Sequence, residues 1–339
     1  MDALRHGWPL DIAGAPVLQP VETAFGPLEG ATMLISAARA VTLKLANQKH
    51  AARPRQPVLF EGSERFDLDA ALAIADPARD LEYPMKGPFR ALPLDWEREA
   101  GIALELARIA GILPAFLVAP DGAGEPVALK PGDLAAFTDP ARLQIAARAH
   151  LPVEAANGAR IVAFRSPDDT REHVALIIGD QRSAVAPLVR LHSECLTGDV
   201  LGSLKCDCGP QLHHALAAMQ EEADRGGWGV LLYMRQEGRG IGLINKLRAY
   251  RLQDAGHDTV DANTRLGLPD EARDFPTAAR MLDLLAVRQI RLMTNNPAKV
   301  DALAGHGVSV VERVPHALPD NPHNARYLAT KRDRSGHWL

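Results

Sequence analysis

From residue 160 onward, short apolar runs alternate with stretches of helical period, and few folds accept that order. IVAFRS (161–166) and HVALIIG (173–179) read as strands, the second leading to a turn at Gly179-Asp180-Gln181. APLVRLHSE (186–194) is a third strand that ends in polar residues. QLHHALAAMQEEADRGG (211–227) is a helix with Leu212, Leu216 and Met219 on one face and two glycines able to end it. WGVLLYM (228–234) is a strand, followed by a helix near 241–255. A helix at 277–286, a strand at 289–294, a helix at 297–305 and a strand at 308–313 complete the series. The alternation predicts an α/β domain.

The first half is less regular. Segment 31–46 fits either an amphipathic helix or a strand pair, and 56–93 reads as Pro-rich and irregular. A helix is predicted over 96–110, where Ile102, Leu104, Leu106 and Ile109 form an apolar face. LPAFLVAP (113–120) reads as a buried strand, and 143–156 as a short helix and a closing strand. A boundary near 155–160 gives two domains, for which 339 residues and 47% hydrophobic content suffice. A formal net charge of −4 suggests neither a nucleic-acid partner nor an anionic membrane surface. No apolar run approaches the ~18 residues of a membrane span. The N-terminus lacks the basic segment and apolar core of a secretory signal, so the expected location is cytoplasmic.

The chain contains three cysteines, Cys195, Cys206 and Cys208, all in one short stretch. An odd number so clustered argues against a disulfide framework and for a metal. Three thiolates and a water complete a tetrahedron around zinc, the arrangement of a catalytic site with one open position. Bound zinc lowers the pKa of its water to about 7. Three buried thiols packed as small hydrophobes are the alternative, but the polar stretch Lys205-Cys206-Asp207-Cys208-Gly209 makes a poor core. His192, His213 and His214 are rival fourth ligands.

The surrounding motifs resemble the GTP cyclohydrolase II family. RLHSEC (190–195), CDCGPQ (206–211), RQEGRGIGLINK (235–246), LRAY (247–250), DTVDAN (258–263), TNNPAK (294–299) and NPHN (321–324) run in that family's order. The resemblance implies zinc-dependent opening of the imidazole ring of GTP, with release of formate and pyrophosphate, at the head of riboflavin synthesis. It also implies Cys195, Cys206 and Cys208 as zinc ligands, Mg²⁺ accompanying the triphosphate, and a homodimer. Arg190, Leu191, His192, Ser193 and Glu194 are expected to touch the nucleotide, and Gln211 to read the guanine edge. Glu237, Gly238 and Arg239 fall in the loop after a strand, where α/β enzymes bind ligands. Thr259 joins this substrate-binding set. Thr294 leaves a strand, Asn296 suits an N-cap and Pro297 a first turn, so the helix start with Lys299 fits a phosphate or simply a well-capped helix.

Gly238-x-Gly240-x-Gly242 lacks the spacing of a dinucleotide fingerprint. Tyr250 is expected to orient the attacking water. The family pattern has an acid two residues before a nucleophilic arginine; Arg273 matches, and Glu271 stands where the usual residue is Asp, with Asp270 as a fallback. An arginine is normally locked as a cation, so this role needs a closely placed base.

Residues 96–153 resemble the end of dihydroxybutanone phosphate synthase through EAGIALELARIAGILPA (99–115) and GDLAAF (132–137). That enzyme's acidic metal loop and Gly-Gly-His-Thr-Glu motif are missing, so 1–155 is expected to be a degenerate, non-catalytic α+β domain, smaller than the catalytic one at 156–339. Two other readings stay open: a homologue that stops at the formamidopyrimidine or serves pyrimidine catabolism, and a weak GTP-binding regulator.

Overall fold

The computed structural model describes residues 1–336 and Trp338. The chain forms two compact units, one of residues 1–136 with 239–272 and the other of 137–238 with 273–339. The single division expected near 155 is thus replaced by three crossings. Apolar positions of 239–272 show that a face is buried without showing which core buries it.

Among the described residues each unit carries one seven-stranded sheet. In the first unit the strands are β1 (Leu10–Ile12), β2 (Leu18–Pro20), β3 (Glu29–Ile35), β4 (Val58–Asp67), β5 (Phe89–Leu92), β6 (Ala115–Val118) and β7 (Val127–Leu129), in the order β5-β4-β3-β6-β2-β1-β7. All neighbours are antiparallel except β1 and β7. Strand alternation sends Met33, Ile35, Ala115 and Leu117 to one face and Leu34, Phe116 and Val118 to the other. The helix Glu97–Ala110 covers the second face with Ala100, Ala103, Leu106 and Ala107. The first face is completed by Ile241, Ala249, Leu252, Ala262, Leu266 and Leu268 of the returning segment.

Segment 31–46 resolves into the end of β3 followed by a short helix, Ala37–Thr42, capped by Ser36. Segment 56–93 is not irregular: it holds β4, the helix Leu68–Ala75 and β5. Residues Gln144–His150 form a strand rather than a helix, and five consecutive exposed residues there erase the alternation expected of a half-buried strand.

The second unit is built on β8 (Gln144–His150), β9 (Arg160–Arg165), β10 (His173–Gly179), β11 (Leu188–Ser193), β12 (Trp228–Met234), β13 (Gln289–Met293) and β14 (Ser309–Val314). Their order is β14-β13-β11-β12-β10-β9-β8. The four strands from β14 to β12 are parallel, and β10, β9 and β8 continue antiparallel. Val230, Leu232 and Met234 enter one core and Leu231 the other, so β12 is buried on both faces. The helix Cys208–Asp224 lies so close to β12 that a Cβ on Gly229 would stand 2.4 Å from Met219 Cγ. Because β11, β12 and β13 are parallel, the chain leaves them at Ser193, Met234 and Met293 on one end of the sheet. That carboxyl end is where open α/β sheets place their ligands.

Candidate metal centre and nucleotide site

The turn after β11 brings the cysteines together. Cys195, Cys206 and Cys208 present sulfurs all within 4.8 Å of one another, and among the described residues they are the one group of three or more side chains able to hold a metal. Cys195 Sγ and Cys206 Sγ are 3.7 Å apart. Two thiolates each about 2.3 Å from a tetrahedral zinc would stand about 3.8 Å apart, so the donor set fits that ion. A Cβ on Gly198 would lie 2.8 Å from Cys206 Sγ and 3.0 Å from Cys195 Sγ, which explains a glycine in the cradle. Hydrogen bonding to Cys195 and burial push the Cys206 and Cys208 thiols up, since neighbouring thiolates repel unless a cation lies among them.

The candidate histidines take other partners. His192 Nε2 lies 3.0 Å from both carboxylate oxygens of Asp199, and its ring stacks on Tyr233 at 5.5 Å. Asp199 Oδ2 also accepts the Tyr233 hydroxyl at 2.9 Å and the Cys195 amide at 3.0 Å. His213 is exposed. His214 and the buried His316 share a ring N–H···N bond of 3.2 Å.

Arg190 is 7% exposed, and burial lowers its pKa to about 10, still a cation at neutral pH. Its Nη1 donates to the Met293 carbonyl at 3.1 Å and its Nη2 to Gln211 Oε1. Gln211 Nε2 in turn donates to Asp207 Oδ2 at 2.6 Å. An amide offers two N–H groups and two lone pairs, so this relay orients Gln211 and leaves capacity for a base edge. Leu191 is buried, and Lys299 Nζ donates to its carbonyl at 2.9 Å. Lys299 is itself 6% exposed, so the helix start at 297 reads first as a well-capped one, with Asn296 accepting from the Ala298 N–H. Thr294 is buried, and its Oγ1 accepts from the Asn296 N–H at 3.1 Å.

Ser193 Oγ accepts from Gln236 Nε2 at 3.0 Å, and Glu194 pairs with Arg235 at 2.9 Å. Glu237 Oε2 accepts the Leu196 N–H at 2.7 Å, tying the turn after β12 to the metal loop, and Glu237 Oε1 accepts the Gly238 N–H at 3.0 Å. Arg273 sets its guanidinium 5.6 Å from the Phe275 ring centroid.

The remaining candidates belong to the first unit: Arg239, Tyr250, Thr259 and Glu271. Arg239 has a φ of 63° and an ion pair with Asp270 at 3.0 Å, which engages the fallback acid. Tyr250 is half-buried, with Lys246 Nζ 5.7 Å from its ring centroid. Thr259 Oγ1 accepts from Gln253 Nε2 at 3.2 Å, and Glu271 is exposed.

Sequence reading missed Asp199, Tyr233, Asp207 and His173. Asp207 stood between two of the cysteines, Asp199 four residues after the first, and Tyr233 one residue before the end of its strand, which is the signal that could have found them. His173 accepts the Arg235 N–H at 3.0 Å, and burial lowers its pKa to about 4.

A family model described as GTP cyclohydrolase II matches residues 144–315. A GTP cyclohydrolase-2 of Azospirillum brasilense is 46% identical over 282 residues, covering 79% of this chain and 72% of its own. A GTP cyclohydrolase-2 of Haemophilus influenzae is 52% identical over 200 residues, covering 59% of this chain and 90% of its own. A riboflavin biosynthesis protein RibBA of Salinispora arenicola is 48% identical over 256 residues, covering 70% of this chain and 60% of its own. With the cysteine motif, the 235–246 motif and these matches in agreement, the chain belongs to the GTP cyclohydrolase II family.

Proposed function

We propose that this protein hydrolyses GTP, opening the imidazole ring with release of formate and pyrophosphate to give 2,5-diamino-6-hydroxy-4-(5-phosphoribosylamino)pyrimidine, the first step of riboflavin biosynthesis. The observation that carries the reading is the set of three sulfurs within 4.8 Å at the carboxyl end of β11. Cys195, Cys206 and Cys208 would hold one zinc per chain. Zinc, when bound there, would activate water for attack on the carbon to be expelled as formate.

The protein's own residues supply the rest. Arg190, fixed by Met293 and Gln211, provides a cation that neutral pH cannot discharge. Gln211, oriented between Arg190 and Asp207, presents its remaining amide capacity to guanine. Leu191 to Glu194, Glu237, Gly238, Arg239, Thr259, Thr294 and Lys299 are the proposed further nucleotide contacts, and Tyr250 orients the attacking water. Arg273, with Glu271 as its base, acts on the α-phosphate, and Mg²⁺ accompanies the triphosphate. A homodimer is the proposed assembly.

Incubating the purified protein with GTP and Mg²⁺ and weighing the products tests this reading. The expected products are formate, pyrophosphate and the diaminopyrimidine. A formamidopyrimidine would indicate a homologue that stops early, and intact GTP a binding protein. Cys206→Ser should lose both metal and ring opening; a variant that keeps its full metal content would overturn the ligand assignment.

A further inference from the structure

The family model begins at residue 144, and the Haemophilus influenzae relative, matched over 90% of its length by 200 residues, leaves no room for a counterpart of residues 1–136. In this chain those residues grip the segment that carries Arg239 and Tyr250. The turn at 238–242 is unusual, with φ of 63° at Gly238, 63° at Arg239, 93° at Gly240 and 86° at Gly242. A left-handed arginine costs about 1 kcal/mol or more and persists where its surroundings hold it.

Arg108, on the helix Glu97–Ala110, donates Nη1 to the Gly240 carbonyl at 2.7 Å. Its guanidinium is braced by Glu105, which accepts from Nε at 2.8 Å and from Nη2. Just beyond the same helix, Gly111 accepts from Asn245 Nδ2 at 3.3 Å and comes close to Gly242. On the other side of the turn, the Ala272 N–H donates to the Arg239 carbonyl at 3.2 Å. A Cβ on Gly240 would stand 2.2 Å from the Ala272 carbonyl oxygen, so this close approach of the turn to Ala272 requires a glycine.

We propose that Arg108 is a positioning residue for the turn that carries Arg239, and that this support is what the amino-terminal half contributes to the reaction. The inference rests on the GTP reading above for the role of Arg239. A charged donor on the Gly240 carbonyl fixes the Gly240–Ile241 peptide, one residue beyond Arg239, while the Ala272 N–H holds the Arg239 carbonyl itself, so the two bonds together limit where the turn can place the arginine. The braced guanidinium brings that donor already oriented.

The test uses the full-length, metal-loaded protein. Arg108→Ala should keep its metal content while KM for GTP rises about ten- to hundredfold, the range for one lost hydrogen bond from a charged donor, with kcat falling less. Amide hydrogen exchange over residues 239–245 should accelerate about tenfold, with β11 and β12 unchanged. Arg108→Lys, which keeps one charged donor, should recover part of both effects. Glu105→Gln loosens the same guanidinium from a more exposed position and should move both readouts in the same direction, which covers the case of an unfolded alanine variant. Arg65→Ala, at an exposed ion pair with Asp121, is the control that should move neither. Wild-type KM in Arg108→Ala, with or without faster exchange, overturns the proposal. Failure of the wild-type chain to turn over GTP overturns the functional reading instead. The exchange measurement needs no substrate and still decides whether Arg108 holds the turn.

Discussion

The carboxylate of Asp199 accepts the backbone N–H of Cys195 at 3.0 Å while both its oxygens face His192 Nε2. One acidic side chain thus fixes the start of the metal loop and an aromatic stack beside it. Partners of this kind typically govern metal affinity by about 10–100-fold. Asp199→Ala is expected to weaken zinc retention by that order without removing any sulfur, measured by competition with a chromogenic chelator. An unchanged zinc affinity would show that the loop holds its shape without Asp199.

The two half-reactions should separate by mutation. Arg273→Ala is expected to abolish pyrophosphate release while zinc remains bound. Glu271→Gln should cost about 10² in rate, the usual contribution of a positioned base, and Glu271→Asp should keep activity. Product analysis by mass decides the matter. If Asp270→Asn is the damaging change and Glu271→Gln is silent, the base is Asp270, and its ion pair with Arg239 must open during turnover.

Acid should destabilise the fold through two histidines. Burial holds His173 down to about 4, and burial with the nearby Arg190 charge holds His316 down to about 3, against an ordinary 6.5. Folding keeps both neutral, so the unfolded chain binds the extra protons. Their stability is fully present above pH 6.5 and is lost as pH falls, towards 4 for His173 and towards 3 for His316. His173→Asn places an amide oxygen where Nδ1 accepts the Arg235 N–H. Between about pH 4 and 6 it should flatten the pH dependence of the unfolding free energy by close to one proton, about 1.4 kcal/mol per pH unit, read from urea titrations.

Arg39 is 2% exposed and anchors the first unit. It donates Nε to the Ile74 carbonyl at 2.8 Å and Nη2 to Asp80 Oδ1 at 2.7 Å, and Nη1 lies 3.4 Å from the Arg265 carbonyl in the returning segment. Arg39→Ala strips Asp80 of its main counter-charge and is expected to cost about 3–5 kcal/mol, seen as a lowered thermal midpoint. Retention of the wild-type midpoint would mean that Lys86 and Arg265, also paired with Asp80, hold the carboxylate without it.

The parallel strands of the second unit were legible because double burial leaves unbroken apolar runs such as WGVLLYM. β8 was not, because an exposed strand carries no burial pattern and its alanines favour a helical reading. β4 was hidden by a mixed pattern in which Ser63, Glu64 and Arg65 are exposed in mid-strand. The helix Thr259–Arg265 was missed because it is short and polar, although Asp258 caps it. At the site, the cysteine spacing was enough to anticipate the sulfur cluster. The Arg190–Gln211–Asp207 relay and the placement of Lys299 under Leu191 depend on contacts between distant elements, which spacing along the chain does not encode.

A body assembled from residues 1–136 and 239–272 has a consequence during synthesis. At about 5–20 residues per second, Ala272 is made roughly 7–27 s after Ala136. Throughout that interval Met33, Ile35 and Leu117 lack the cover that Ile241, Ala249 and Leu252 will later provide. The nascent amino-terminal half therefore waits on the ribosome with an unfinished apolar face, a natural substrate for chaperones, until residues 239–272 emerge and close it.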